Sequence, residues 1–364
     1  VRASQFLALT SLLTAFAGAC KTVPSLQGSG SSGIKDAVVR TQDLRLDSDS
    51  FGSGGYGEKH LFIEIAAKQL NLELHNRSVP GSVVHDAWLR LLSDNPLQQI
   101  KVPSPYRNHV INLGFNDLRR YGESPLAPEE VVHRLTNLIA YLRLSTIVDQ
   151  NDPTIKYTGK WTTMAGKDFY RQTLIATGDP GAGATVTFDG DSISVGTHVL
   201  GNEGGTIQLK VDGTLRYEAN VGPQCANNFA SSAIELRDLG AGPHTLQISK
   251  SDAAIDRYIY IDWIGQIGKQ PPAIYVNGIT KMQKSTYALY PPTNHGREAL
   301  TLEVNRLIAD AIKHNFDDRV IFVDQSSFDP DTQDLILGSD KLHPNDLGHQ
   351  LIAKNLMAVW LQSQ

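Results

Sequence analysis

"LRLDSDSFGSGGYGEKHLFIEIAAKQL", residues 44–70, is the stretch on which the reading of this chain turns. Leu44-Arg45-Leu46 is a strand candidate, glycines crowd the turn from Gly52 to Gly57, and Glu58 to Leu70 carries apolar residues three and four apart. That spacing lays one stripe of a helix against a sheet. The same alternation continues with Leu72-Glu73-Leu74 and Val110-Ile111-Asn112-Leu113 as strands and Pro128 to Arg143 as a helix, the pattern of βα units around a parallel sheet. Arg45 and Asp47 make the first strand more polar than a strand covered on both faces should be.

The pattern changes in the middle of the chain. From about 153 to 266 apolar and polar residues alternate with period two between Gly, Asp and Asn, as in Thr185 to Phe188, Ser192 to Val195, Thr206 to Val211, Thr245 to Ile248 and Tyr258 to Trp263. Asp212-Gly213 is a tight hairpin signal, and the whole stretch reads as a β-sandwich. From 273 helix and strand alternate again, with Ile274 to Val276, a helix near Arg297 to Lys313, Val320 to Val323 and a last helix from Asp346 to Gln362. The expected fold class is therefore α/β, a parallel sheet interrupted by an inserted all-β sandwich.

The 364 residues are enough for two domains, and 41% hydrophobic with 20% charged residues is ordinary for a globular chain. A formal net charge of −5 without long runs of like charge gives no support to a nucleic-acid or anionic-membrane partner. Phe6 to Ala19 is apolar, too short to span a bilayer, and ends in Ala17-Gly18-Ala19, which reads as a secretory signal peptide over 1–19. Cys20 follows at once, so cleavage after Ala19 and lipid attachment to Cys20 are both open; the chain is expected to be secreted or lipid-anchored at a bacterial cell envelope. Only Cys225 remains besides Cys20, which excludes an internal disulfide framework. Residues 20–36 read as a flexible tether rich in Gly and Ser.

Two serines compete for attention. "FDGDSISVG", residues 188–196, spells Gly-Asp-Ser-x-x-x-Gly, a nucleophile signature of serine esterases. A serine nucleophile needs a sharp turn at the carboxyl end of a strand, with a helix behind it whose first N–H groups face the oxyanion. Ser192 lies between two period-two stretches with no helix behind it, so it reads as a hairpin turn entering a strand. Ser50 has the required setting, with Asp49 before it and Gly54 four residues after it, although Ser48 stands where the first Gly would be. Ser48 itself also has an Asp before it and Gly52 four positions on.

Here the chain resembles the SGNH (GDSL-type) hydrolases, because three further blocks follow in order: "NRSVPGS" at 76–82, "LGFNDL" at 113–118 and "SDKLHPNDLGH" at 339–349. The resemblance covers roughly 40–150 and 273–364 and implies a flavodoxin-like sheet. It gives a first hydrolase part at 37–152, an inserted sandwich at 153–268 and a second hydrolase part at 269–364. It also implies Ser50 as nucleophile, His343 as base and Asp340 as the carboxylate that orients it, with the Ser50 and Gly81 backbone N–H groups and the Asn116 amide as oxyanion donors and no cofactor. His349, six residues past His343, reads as packing or capping. The sandwich, from Tyr157-Thr158-Gly159-Lys160-Trp161 to Trp263, looks like carbohydrate-binding, galactose-binding-like modules, and large aromatics in sandwiches mostly pack inside.

Other signals are weaker. Gly52 to Gly57 fits Gly-x-Gly-x-x-Gly, but a dinucleotide fingerprint grows directly from an apolar strand and here "DSDSF" intervenes. "DPDTQD" at 329–334 misses the ligand and glycine positions of a calcium loop, and Asn76-Arg77-Ser78 is a glycosylation sequon in spelling only. The functional expectation is an exported serine esterase that removes acetyl or similar short acyl groups from a polysaccharide, its partner being that acylated glycan. The alternatives are a lipase or thioesterase acting on longer chains and a non-catalytic glycan-binding surface protein.

Overall fold

The computed structural model describes residues 40–94, 105–122, 124–201, 204–222, 229–287, 298–333 and 335–363. The expected signal peptide over 1–19, the expected tether over 20–36, Cys20 and Cys225 lie outside them. One sheet is parallel, built from β1 (Arg40–Ser48), β2 (Glu73–Asn76), β3 (Tyr106–Asn112), β4 (Ala273–Asn277) and β5 (Val320–Val323) in the order β5-β4-β3-β1-β2. Side chains alternate across β1 with the pleat. Leu44 and Leu46 join Val110, Tyr275 and the helices α2 (Phe62–Leu70) and α7 (Asp346–Gln362), through Phe62, Ile63, Ile352 and Leu356, in one core layer. Arg45 and Asp47 point the other way and pair with each other, Nε to Oδ2 at 2.8 Å and Nη2 to Oδ1 at 3.0 Å. The bidentate pair satisfies both charges within the buried face, which is how a polar strand sits inside the sheet.

The helices on that second face are α3 (Val84–Asp94), α4 (Phe115–Tyr121), α5 (Ala127–Leu142) and α6 (Glu298–Asn315). Their apolar residues, among them Trp88, Leu118, Leu135 and Ile308, form one core with Ile111, Ile274 and Val276 of the parallel sheet. Among the described residues no helix is long and apolar enough to cross a membrane.

The remaining strands are antiparallel and run from Leu144–Asp149 to Trp263–Ile267. One sheet has the order Thr214–Asn220, Thr206–Val211, Pro243–Lys250, Gly183–Asp189, Lys156–Thr158; a second has Phe229–Leu236, Ile193–Leu200, Trp263–Ile267, Leu144–Asp149. A third, of three strands, pairs Ile259–Ile261 with Thr173–Thr177 and that strand with Thr162–Ala165. Ile207, Leu209, Val211, Leu246 and Ile248 alternate inward against Val186, Val195 and Ile264. Trp263 is fully buried and packs on Gly196, where an added Cβ would come within 2.2 Å of the indole.

The expected fold class, α/β with a flavodoxin-like sheet and a sandwich as an insertion, is corrected by this count. Twelve of the seventeen strands among the described residues belong to antiparallel sheets, so the molecule is mostly β-sandwich with one parallel sheet in it. The physical reason lies in α5. Its apolar residues read as a stripe for the parallel sheet, yet nearly every position is buried, and Tyr141 meets Trp88 at 5.0 Å, Trp263 at 5.9 Å and Tyr170 at 6.1 Å between ring centroids. A helix buried on most of its circumference, polar Glu130, Arg134 and Asn137 included, has two partners, and here the second partner is the sandwich. Arg143, directly after α5, bonds Glu235 at 3.1 Å and Asp317 at 2.5 Å, so one buried guanidinium joins the sandwich to the α6–β5 turn.

Candidate active site

At the carboxyl end of β1 the chain turns through Asp49 into α1 (Ser50–Ser53). Asp49 caps the helix, its Oδ1 accepting from the Phe51 N–H at 3.0 Å. Ser50 opens the helix, so its N–H is one of the first-turn donors that have no intrahelical acceptor. Gly52 is required by close approach, because a Cβ there would meet Ser78 Oγ at 2.4 Å and the Leu46 and Ser48 side chains at 2.8 Å. Ser48 is fully buried in the strand with Asn112 Nδ2 donating to its hydroxyl at 3.3 Å, which removes it as the exposed nucleophile.

The second part of the site comes from the turn before α7. Asp340 Oδ1 accepts from the N–H groups of Leu342 and His343, both at 3.0 Å, with Lys341 in the left-handed region at φ 58° between them. This closed turn aims the imidazole outward. Asn345 ends it by capping α7, accepting from Leu347 and Gly348 N–H at 2.9 and 3.1 Å. His343 Nδ1 bonds Asp340 Oδ2 at 2.5 Å, and its Nε2 lies 2.9 Å from Ser50 Oγ. Residues 293 positions apart in sequence are thus in one hydrogen-bonded run, Asp340 to His343 to Ser50.

Burial raises the Asp340 carboxyl, but the bonds from the His343 ring and from the two backbone N–H groups outweigh it and hold the group below the usual carboxylate range. The run is a charged acceptor, an imidazole with a fixed ring, and a hydroxyl. Such a set can transfer a proton as the hydroxyl oxygen attacks a carbonyl carbon.

The expected oxyanion donors are placed differently from one another. Gly81 is exposed at φ 74°, a backbone conformation that only Gly adopts without strain, and a Cβ there would meet nothing within 4 Å. Its glycine is thus set by the turn. Asn116, in the first turn of α4, has its amide directed at Asp49 Oδ2 at 3.1 Å and at the Ser82 carbonyl at 3.2 Å. The first contact is with the turn that carries Ser50. Burial, reinforced by the nearby Asp117 charge, raises Asp49 to about 7 against the Phe51 N–H that lowers it. Asp117 accepts from Val84 N–H and is raised by burial to about 6.

The other candidates fall elsewhere. Ser192 is a half-buried residue just before the strand Ile193–Leu200, and its hydroxyl bonds its neighbour Asp191 at 3.0 Å. His349 accepts from the Phe62 N–H at 3.2 Å through Nδ1, stacks on the Phe62 ring, and burial holds it down at about 4, so it joins α7 to α2 as a neutral ring. Asn76, exposed at the end of β2, donates to the Gly52 carbonyl at 2.7 Å and accepts from the Ser78 N–H at 2.9 Å. Sequence reasoning missed Tyr56, whose ring lies flat on the His343 imidazole at 3.5 Å between centroids and 11° between planes. The only signal for it was a lone aromatic between glycines. Phe51 meets the same imidazole at 5.5 Å.

No family model matches the chain. The chain is 31% identical over 121 residues to an A type blood N-acetyl-alpha-D-galactosamine deacetylase of Flavonifractor plautii, a match that covers 33% of this chain and 15% of that protein. The chain therefore spans about a sixth of that curated relative. Among solved structures, an exo-beta-1,3-galactanase of Phanerochaete chrysosporium aligns at 17% identity over 33% of this chain and 28% of its own, with a TM-score of 0.26. A family 35 carbohydrate binding module of Clostridium thermocellum aligns at 11% identity and TM-score 0.27 over 34% of this chain and 98% of its own. The CBM36-1 domain of a xylanase from the Trinervitermes trinervoides hindgut metagenome does so at 17%, with the same TM-score and the same two coverages.

Proposed function

We propose that the chain is a serine esterase that removes acetyl or other short acyl groups from a polysaccharide or related glycan. Ser50 acts as nucleophile, His343 as base and Asp340 as the carboxylate that orients the ring. The observation that carries the reading is the hydrogen-bonded run from Asp340 through His343 to Ser50. The four sequence blocks that resemble SGNH hydrolases support the same residues. Partial identity to a deacetylase of an N-acetylated sugar supports a glycan as the acyl carrier.

In the proposed reaction Ser50 Oγ forms a bond to the acyl carbon while its proton passes to His343 Nε2, and the carbonyl π pair moves onto oxygen. Asp340 keeps the Nδ1–H tautomer and stabilises the imidazolium. The oxyanion is met by the Ser50 and Gly81 N–H groups and by the Asn116 amide, each worth on the order of 3 kcal/mol of barrier. Asn116 serves there by exchanging its contact with the Ser82 carbonyl for the oxyanion. Collapse breaks the bond to the sugar oxygen, which takes the proton from Nε2, and water then repeats the sequence on the acyl-serine. The antiparallel region, 153–268 in the sequence reading, is proposed to hold the glycan chain. Export through residues 1–19, with Cys20 as a lipid anchor point, belongs to the same proposal.

The test is acetate release from O-acetylated xylan, pectin and mannan, alongside an N-acetylgalactosaminide, by the wild type and by Ser50→Ala. Release from an O-acetylated glycan is expected, with loss of about 10⁴-fold or more in the variant. Turnover that survives Ser50→Ala would defeat the assignment. A preference for octanoyl or longer p-nitrophenyl esters with no glycan acetate released would point to a lipase instead.

A further inference from the structure

We infer that Tyr56 is the platform for the leaving sugar: one ring face lies on His343 and the opposite face stacks on a pyranose ring, which fixes the ester bond over Ser50. The inference rests on the esterase reading above. Nε2 of His343 must hand its proton to the leaving sugar oxygen, so the sugar departs on the imidazole side of Ser50, whereas the oxyanion lies toward Gly81 and Asn116. The side chain stacked on that imidazole is Tyr56, at 3.5 Å and 11°, and 39% of its surface remains exposed. One face of the ring is covered by the imidazole while the residue as a whole is exposed, and an aromatic face packs against the C–H face of a neutral sugar without needing charge.

The loop that carries Tyr56 is built to hold it there. Gly55 and Gly57, on either side, stand at φ 103° and 99°, open to solvent, so the backbone conformation demands glycine where packing does not. Glu58 clamps the loop from below, accepting from the Gly55 N–H at 2.6 Å and the Tyr56 N–H at 2.9 Å. Asp346 of α7 accepts from the Lys59 N–H at 2.6 Å and ties the loop to the helix that follows His343. Ring and imidazole are therefore positioned by the same helix terminus. A side chain that only shielded the histidine would need none of this exposed surface.

The decisive experiment uses the full chain and the acetylated oligosaccharide that releases most acetate among xylo-, pectic and manno-oligosaccharides. Its binding to Ser50→Ala is compared by calorimetry with binding to Ser50→Ala/Tyr56→Ala and Ser50→Ala/Tyr56→Phe. Loss of about five- to tenfold in the alanine double variant and retention within about twofold with phenylalanine are expected. In the Ser50 background, the ratio of kcat/KM for that oligosaccharide to kcat/KM for ethyl acetate should fall by the same factor in Tyr56→Ala, through KM. Unchanged binding, or an equal loss on both esters, overturns the platform and leaves Tyr56 as packing for His343. Hydrolysis that persists in Ser50→Ala, or acetate released from no glycan, instead overturns the esterase reading itself.

Discussion

Of the histidine–aspartate pairs among the described residues, two are instructive side by side, because their difference shows what would turn such a pair into a reaction centre. In the antiparallel region His198 Nε2 lies 3.3 Å from Asp262 Oδ2, with both side chains almost fully buried at 2% and 1% exposure. Phe229 stacks on that imidazole at 4.3 Å, Phe169 meets it edge-on at 5.3 Å, and its Nδ1 has no hydrogen-bond partner among the described residues. At the end of the parallel sheet the pair is His343 and Asp340, the carboxylate is 36% exposed, and a hydroxyl stands at the other ring nitrogen. Burial raises Asp262 despite bonds from His198 and Tyr170, while the same kinds of bond lower the better-solvated Asp340. Residue type is shared. Solvation and the third partner separate a sealed core contact from the proposed proton relay.

Breaking each pair should therefore give opposite phenotypes. His343→Ala is expected to lower kcat on a scale of about 10⁴-fold with little change in the urea midpoint, whereas His198→Ala should leave kcat within about threefold and cost about 2–4 kcal/mol, as a large buried side chain is replaced by a void. Steady-state kinetics and urea unfolding on the same preparations check both. Arg143→Leu should cost about 3–5 kcal/mol, because it leaves Glu235 buried without its counter-charge and loosens the sandwich from α5 and α6. Its signature is a loss of stability with KM for small esters little changed.

The smallest effect sharpens the comparison through pH. Asp49 and Asp117, both fully buried, keep their protons up to about 7 and about 6, whereas in the unfolded chain they ionise near the usual 3.8. Between those limits the folded state binds more protons than the unfolded one, so stability falls as pH rises through that window. Asp340 has the opposite sign, its contribution being present above the usual carboxylate range and lost as pH falls, but its exposure keeps it small. The share of Asp49 and Asp117 therefore declines between pH 5 and pH 7.5, against the opposite share of buried histidines such as His349, and Asp117→Asn should remove its own declining share from the measured slope. A slope unchanged in the variant would show that Asp117 is already ionised at pH 5.

Several local features were legible in the sequence. Helix periodicity marked Phe62–Leu70 and Asp346–Gln362, period-two alternation marked Thr206–Val211, and the absence of a helix after Ser192 marked that serine as one entering a strand. The blocks named Ser50, Asp340 and His343, but their meeting depends on sheet order, which brings β1 beside β3 and β4 and sets α7 against α2. Fold class was misread because α5 is buried around most of its surface, its polar positions included, and periodicity shows only the apolar stripe. The Arg45–Asp47 pair was visible only as an anomaly, since period two puts both on one face and only coordinates show that they satisfy each other. Tyr56 left almost no trace, because a stack on a residue 287 positions away is a tertiary event. The Asn116 contact with Asp49 was hidden for the same reason.

The most direct test of the central claim is covalent labelling of the intact chain with a fluorophosphonate, followed by peptide mass spectrometry. A phosphonyl group on Ser50, formed in step with loss of activity and slowed strongly in His343→Ala, is the predicted result. Inactivation with the label on Ser192 or Ser48, or with Ser50 left unmodified, would contradict the account.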